Sequence, residues 1–151
     1  MSVAIAVTVL GCALNAGVFF AFSTFVMQGL GRLAPSKGAA AMQAINVTAV
    51  TPAFMTALFG TAALCLAMIA WGLAEWGDDA GPWMVAGGVL YLVGGIGVTI
   101  AANVPRNNRL AALAPEAAID VWADYLRTWT AWNHVRTVAS LAAAALLVVA
   151  L

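Results

Sequence analysis

The amino-acid sequence predicts an all-α integral membrane protein, a four-helix bundle with a long amphipathic extension leading into the fourth helix. Of its 151 residues, 64% are hydrophobic and only 8% are charged, whereas soluble domains carry about 25% charged residues. The charges are clustered, which leaves four long uncharged stretches at residues 1–31, 38–74, 80–105 and 137–151. A spanning helix needs about 20 mostly apolar residues, a length that the last stretch reaches if it includes residues before Arg136. Four spans in a single transmembrane domain, residues 1–151, are therefore expected.

The four spans are expected at about residues 2–28, 50–72, 83–103 and 131–151. No Lys or Arg precedes Arg32, so the first apolar run lacks the basic segment of a signal peptide and is assigned to the first helix. One or two amphipathic turns over residues 39–46 lead into the second span. Pro105 is expected to end the third helix. The fourth helix is expected to begin near Pro115, a favoured first-turn residue, and to continue unbroken to the last residue.

Small residues recur on single helix faces in two of these spans. The rows are Ala13, Gly17 and Ala21 in the first span, and Gly88, Gly95 and Ala102 in the third. Such rows let helix backbones approach closely in lipid, where packing and hydrogen bonds drive association. A compact bundle follows, and homo-oligomerisation through one of the rows is equally compatible with them.

The distribution of charge predicts the orientation. All six Lys and Arg residues fall on the side that holds the first and third connections, whereas the second connection contains only Glu75, Asp78 and Asp79. Positively charged loops stay in the cytoplasm, so we expect the basic connections inside and both termini outside, in a bacterial inner membrane. The lipid bilayer is then the expected partner. A formal net charge of zero gives no nucleic-acid footprint.

The residue types predict no metal site. His134 is the single histidine, and the two cysteines, Cys12 and Cys65, lie inside apolar helices as small core residues. No Asp or Glu lies within an expected span. One chain with these residues cannot supply the three protein ligands of a zinc, copper or non-haem iron site. The missing carboxylate also argues against a proton-coupled exporter.

The segment WADYLRTWTAWNHVR, residues 122–136, directly precedes the last apolar stretch, and the end that adjoins this stretch is polar. From Arg136 to Leu151 a helix rises about 22 Å, less than the roughly 30 Å of the hydrocarbon core. Arg136 therefore either lies inside the membrane or reaches back to the interface as an anchor. Residues at intervals of three and four share its helix face, namely Trp122, Leu126, Trp129, Asn133, Arg136 and Ser140. A stripe that becomes polar inside the membrane favours the wall of a cavity, while His134 points roughly 100° away.

The segment NVPRNN, residues 103–108, forms a second polar group. The side-chain amides of Asn103 and Asn107 can donate hydrogen bonds either to the backbone carbonyls that Pro105 leaves without a partner or to a ligand. The guanidinium of Arg136 is expected to donate to Asn103 or to those carbonyls. Asn46, at the entry to the second span, is expected at the same depth. Four residues are thus expected to meet at one level of the bundle: Asn46, Asn103, Asn133 and Arg136.

Four segments carry a resemblance to a known family: FSTFVMQGL (residues 22–30), MQAIN (42–46), NVPRN (103–107) and a W-x6-W-x3-N-x2-R run from Trp122 to Arg136. In this order they resemble the anthrone oxygenase-like family of small membrane proteins. The resemblance implies a four-helix membrane protein. For some fungal relatives it implies oxidation of a polyketide anthrone to an anthraquinone without an evident metal or organic cofactor.

The expected function is therefore a membrane-embedded, cofactor-independent monooxygenase acting on a lipophilic, anthrone-type aromatic. The expected catalytic residues are Arg136 and Asn133, which donate hydrogen bonds to an oxyanion, and His134, whose imidazole is the usual general base. The expected substrate-binding residues are Asn46, Asn103, Asn107, Trp122, Trp129, Phe22 and Ser23. The alternative is a non-catalytic membrane protein that binds a lipid, a quinone or a partner helix in the same pocket.

Overall fold

The computed structural model describes residues 2–114 and 116–151, and this part of the chain forms five helices and no strand. The helices are α1 (Ser2–Gly31), α2 (Pro35–Thr48), α3 (Pro52–Ala74), α4 (Gly81–Ala111) and α5 (Ile119–Val149). All but α2 are long and apolar enough to cross a membrane. The all-helical class and the four long apolar helices are as expected. Pro115, the expected start of the last helix, lies outside the described residues, and α5 begins at Ile119.

Helix α2 is a separate element rather than the expected turn or two leading into the second span. It has 14 residues, begins at Pro35 and ends at Thr48. Its Gly38 lies against α5, since a Cβ there would sit 2.7 Å from the Trp122 ring. Gln43 of α2 donates through Nε2 to the carbonyl of Leu110, at 2.8 Å, and so caps the end of α4. Helix α2 thereby covers the basic end of the bundle.

Helix α4 does not end at Asn103, so the expectation that Pro105 would stop it is wrong. The helix continues from Val104 to Ala111. Proline removes one amide hydrogen bond and crowds the carbonyl four residues earlier. A π-helical turn, Thr99–Asn103, immediately precedes the proline and changes the hydrogen-bond register there. The Nη1 of Arg106 donates to the carbonyl of Ala102 at 2.7 Å, which supplies a side-chain donor close to the proline.

Only one of the two small-residue rows packs inside the bundle. A Cβ at Gly88 would lie 2.7 Å from the carbonyl oxygen of Cys65, so glycine lets α4 approach the backbone of α3. Gly95 of the same row faces Ser140 of α5. Gly17, by contrast, faces outward, with nothing within 4 Å of where its Cβ would be. Of the two rows, therefore, the one on α4 lets helix backbones approach closely inside the bundle, and the one on α1 does not.

Turns of π-helix interrupt α1, α3 and α4, at Phe22–Val26, Thr56–Gly60, Tyr91–Gly97 and Thr99–Asn103. Such turns locally shift the register of the backbone hydrogen bonds. Side chains donate to carbonyls within or beside all four of them, and in the turn Tyr91–Gly97 the Thr99 hydroxyl donates to Gly95 at 2.7 Å. Asn133 Nδ2 donates to Phe19 at 2.6 Å, and the Tyr91 hydroxyl donates to Leu58 at 3.1 Å. Arg106 donates to Ala102 as described above. Polar side chains thus enter the apolar interior where the helical ladders are irregular.

Candidate functional site

Arg136 lies inside the bundle, on the face of α5 that meets α1 and α4. Its side chain is 7% exposed. The guanidinium donates to Thr99 Oγ1 at 3.2 Å and to Asn133 Oδ1 at 2.5 Å. Its Cζ lies 4.3 Å from the centroid of the Phe19 ring and 5.2 Å from that of Trp129. Arg136 is thus enclosed by the helices and does not extend from the surface of the bundle.

The buried charge of Arg136 has no carboxylate partner. Within residues 2–114 and 116–151, the only ion pair joins Arg127 to Asp124, and both side chains are largely exposed. The hydrogen-bond acceptors of Arg136 are neutral, and its Nε is buried without a partner among the described residues. Burying an unpaired charge costs several kcal/mol. Such a site attracts a ligand that brings an anionic or strongly accepting oxygen.

Asn133 holds the guanidinium from behind. It is fully buried, and its Nδ2 donates to the Phe19 carbonyl at 2.6 Å and to Ser23 Oγ at 2.7 Å. Ser23 also exchanges a hydrogen bond with Thr137 at 3.1 Å. Because both donors of the Asn133 amide point to α1, its oxygen faces Arg136. The position of Arg136 is therefore set by a network that ties α5 to α1.

A cavity of about 360 Å³ lies beside Arg136 at the end of the bundle covered by α2. Small-molecule sites typically have volumes of about 300–1,000 Å³. Most of its wall is apolar or aromatic, with contributions from α1 to α5: Val18, Phe19, Phe22, Met42, Ile45, Asn46, Ala49, Val50, Thr51, Phe54, Met55, Leu58, Thr99, Val104, Asn107, Trp129 and Arg136. The exposed lining residues, Val50, Thr51 and Val104, place its mouth between the α2–α3 link and α4.

Trp129 forms one wall of this cavity and is fixed at both backbone and side chain. Asn103 Nδ2 donates to the Trp129 carbonyl at 3.2 Å. The indole Nε1 donates to Asn107 Oδ1 at 2.7 Å. The ring of Phe22 packs against the indole with centroids 5.7 Å apart. The cavity thus has a rigid aromatic wall between the Arg136 guanidinium and the Asn107 amide.

The expected site residues fall into three groups. Five of them line the cavity: Phe22, Asn46, Asn107, Trp129 and Arg136. Three lie behind its wall. Asn103 and Asn133 bind the lining residues Trp129 and Arg136, and Ser23 accepts a hydrogen bond from Asn133. The remaining two, Trp122 and His134, lie elsewhere.

Trp122 packs under α2, stacked on Tyr125 with ring centroids 5.6 Å apart. His134 is exposed in an open groove between α1 and α5, on a different side of α5 from Arg136. The sequence analysis expected Arg136 to donate to Asn103 or to carbonyls near Pro105, and this expectation is wrong. The partners of Arg136 are Thr99 and Asn133. The structure therefore does not bring the only imidazole to the guanidinium.

Several lining residues were not identified from the sequence as site residues, above all Phe19, Phe54 and Leu58. Phe19 lies three residues before Phe22 and so shares its helix face, a spacing that marks it as a candidate. No comparable local signal marks Phe54 or Leu58, since both look like ordinary lipid-facing residues of an apolar helix.

The fold and the cavity define a class: a helical membrane protein that encloses an aromatic pocket around a buried arginine. The chain matches the family model described as anthrone oxygenase over residues 53–146, more than half of its length. It therefore belongs to the anthrone oxygenase family, as the resemblance implied. The matched range contains Asn107, Trp129 and Arg136, whereas Phe22 and Asn46 precede it. No curated protein and no solved structure matches the chain.

Proposed function

We propose that the protein oxygenates a lipophilic, anthrone-type aromatic ketone, using dioxygen and no metal or organic cofactor. The observation that carries the proposal is the buried, carboxylate-free guanidinium of Arg136 on the wall of an aromatic cavity. Membership of the anthrone oxygenase family supports the same reaction class. The proposal requires that the ligand itself supply a negatively charged partner for Arg136, because the described residues supply no carboxylate there.

An anthrone supplies that charge when its ring CH2 group loses a proton. The electron pair delocalises onto the carbonyl oxygen, and Arg136 donates hydrogen bonds to this enolate oxygen. A donor already oriented in a dry site stabilises developing charge without reorganisation. The enolate carbon then bonds to one atom of dioxygen, and the resulting peroxide anion takes up a proton from water to give a hydroperoxide. Loss of the second C–H proton and cleavage of the O–O bond release water and leave the quinone carbonyl. One oxygen atom thus enters the product and the other becomes water.

The walls of the cavity suit a flat ligand that arrives through the bilayer. Phe19, Phe22, Phe54 and Trp129 contribute aromatic rings to the lining, and such rings favour stacked or edge-to-face contacts with another aromatic. Two of the three exposed residues at the mouth, Val50 and Val104, are apolar, and the third is Thr51. A lipophilic ketone can therefore enter laterally, and dioxygen is soluble in the same apolar interior.

None of the described residues that line the cavity is Asp, Glu or His. The proton of the substrate therefore leaves to water at the mouth, and Arg136 acts by making that ionisation easier. The same observation favours a second candidate, a pocket that binds a quinone or lipid without turnover. The two differ in a single measurable property, the consumption of dioxygen.

The test uses purified full-length protein in detergent micelles with anthrone, an oxygen electrode and 18O-labelled dioxygen. The proposal expects one dioxygen consumed per anthrone and one labelled atom in the anthraquinone. Exposed Arg127 provides the matched control, Arg127→Ala, which should behave as the wild type. Binding of anthrone with oxygen uptake no faster than in protein-free micelles would leave the binding protein as the better description.

A further inference from the structure

The cavity contains a second polar wall, formed by Asn46 of α2 and Asn107 of α4. The Oδ1 of Asn107 accepts two hydrogen bonds, from the Tyr125 hydroxyl at 2.9 Å and from Trp129 Nε1 at 2.7 Å. An indole N–H can only donate, so the amide atom that faces it must be the oxygen. The Asn107 Nδ2 consequently points away from both aromatic side chains, and it makes no hydrogen bond to another described residue.

Asn46 adds a second free donor at the same wall. Its Nδ2 is buried and has no hydrogen-bond partner among the described residues. A buried amide donor without a partner typically costs about 1–3 kcal/mol, which a ligand oxygen would remove. Both residues line the cavity that holds the ligand in the proposed reaction.

This wall is separate from the Arg136 guanidinium. Arg136 is anchored to Thr99, which lies eight residues before Asn107 on α4, or about 12 Å along the helix axis. The Trp129 indole lies between them, with Arg136 beside its ring at 5.2 Å and Asn107 at its N–H. The cavity therefore offers hydrogen-bond donors at two places, with an aromatic wall between them.

We infer that Asn107, together with Asn46, recognises a second ligand oxygen on the opposite side of the ring system from the oxygen that Arg136 binds. The inference rests on the proposed function, since an anthrone has its carbonyl and its reactive CH2 group at opposite positions of the central ring. The oxygen atom installed by the reaction then forms facing the Asn46 and Asn107 amides. These residues determine specificity, selecting para-quinone products and the peroxide that precedes them.

The test compares two ligands of the same ring skeleton under nitrogen, so that no turnover occurs. Anthraquinone has oxygens at both positions, and anthrone has one. Binding to the wild type is measured by quenching of tryptophan fluorescence, and the quinone should bind at least about tenfold more tightly, as expected for one additional hydrogen bond. Equal affinity for the two ligands would overturn the inference.

The variants remove the donors without disturbing the surroundings. Asn46→Leu keeps the side-chain volume and removes the buried amide nitrogen that has no partner among the described residues. Asn107→Asp keeps the oxygen that accepts from Tyr125 and Trp129 and replaces the donor nitrogen by an acceptor. Asn108→Asp, at the exposed neighbouring position on α4, is the matched control.

In both test variants the ratio of the affinity for anthraquinone to that for anthrone should fall about tenfold. In Asn108→Asp this ratio should be the same as in the wild type. A variant that weakens both ligands equally would show a structural role only and would overturn the inference. A preserved preference for the quinone in a protein that consumes no dioxygen would support the second oxygen site while contradicting the proposed function.

Discussion

Replacing Arg136 by alanine is the most informative perturbation of this protein. The variant removes the donors that the proposed reaction directs to the enolate oxygen, together with the bonds to Thr99 and Asn133. Removing a single oriented donor from an oxyanion site typically costs about 3–4 kcal/mol, or roughly 10²–10³ in rate. Arg136→Ala is therefore expected to lower kcat/KM for anthrone oxidation by at least about 10².

The effect of Arg136→Ala on stability is expected to be smaller than the effect on activity. The variant leaves the fully buried Asn133 Oδ1 without its donor, which costs about 1–3 kcal/mol. It also removes a buried charge without a carboxylate partner, which relieves a desolvation cost of several kcal/mol. The two changes offset each other, so the fold should persist while the activity is lost.

Arg136→Lys separates the charge from the geometry of the guanidinium. An ammonium is a compact point charge and lacks the planar fork of arginine. It cannot contact Thr99, Asn133 and a ligand oxygen as the guanidinium does, so the variant should fold yet oxidise anthrone poorly. Arg127→Ala is the control, because Arg127 forms only an exposed pair with Asp124, and such pairs contribute about 0–1 kcal/mol.

The assay combines oxygen uptake with anthrone and thermal unfolding followed by tryptophan fluorescence, both in the same detergent. Wild type and Arg127→Ala should agree in both measurements. Full activity of Arg136→Ala, or equal loss in Arg127→Ala, would refute the assignment of an oxyanion-binding role to Arg136. Loss of activity that accompanies complete unfolding of both Arg136 variants would show a structural role instead.

Three further predictions follow, two from the positions of side chains in the bundle and one from the distribution of Lys and Arg along the sequence. His134→Gln should leave the rate of anthrone oxidation and its pH profile unchanged, because His134 is exposed in the α1–α5 groove, and a lost pH inflection in kcat/KM would contradict this. Asn133→Leu should lower both the unfolding temperature and the activity, since Phe19, Ser23 and Arg136 all lose a buried partner costing about 1–3 kcal/mol each. In intact cells, an impermeant maleimide should label Asp78→Cys but not Ser36→Cys, and labelling of Ser36→Cys alone would reverse the expected orientation.

The fold class and several site residues could be predicted from the sequence because they depend on local properties. Hydropathy over about 20 residues identifies each long helix. Helical periodicity of three and four places Trp129, Asn133 and Arg136 on one face of α5, and all three are buried. Arg136 directly precedes an uncharged stretch that is shorter than the hydrocarbon core, and a cation within a membrane is costly enough to mark a candidate site.

Only the tertiary structure decided what each helix face meets. Periodicity gives the direction of Asn133 around α5, but its carbonyl partner, Phe19, lies 114 residues away in sequence. The continuation of α4 past Pro105 depends on a π-helical turn that local propensity does not specify. The position of Asn46 depends on α2 folding back over the bundle. Local sequence fixes which side chains share a face, whereas the pocket arises from contacts among five helices.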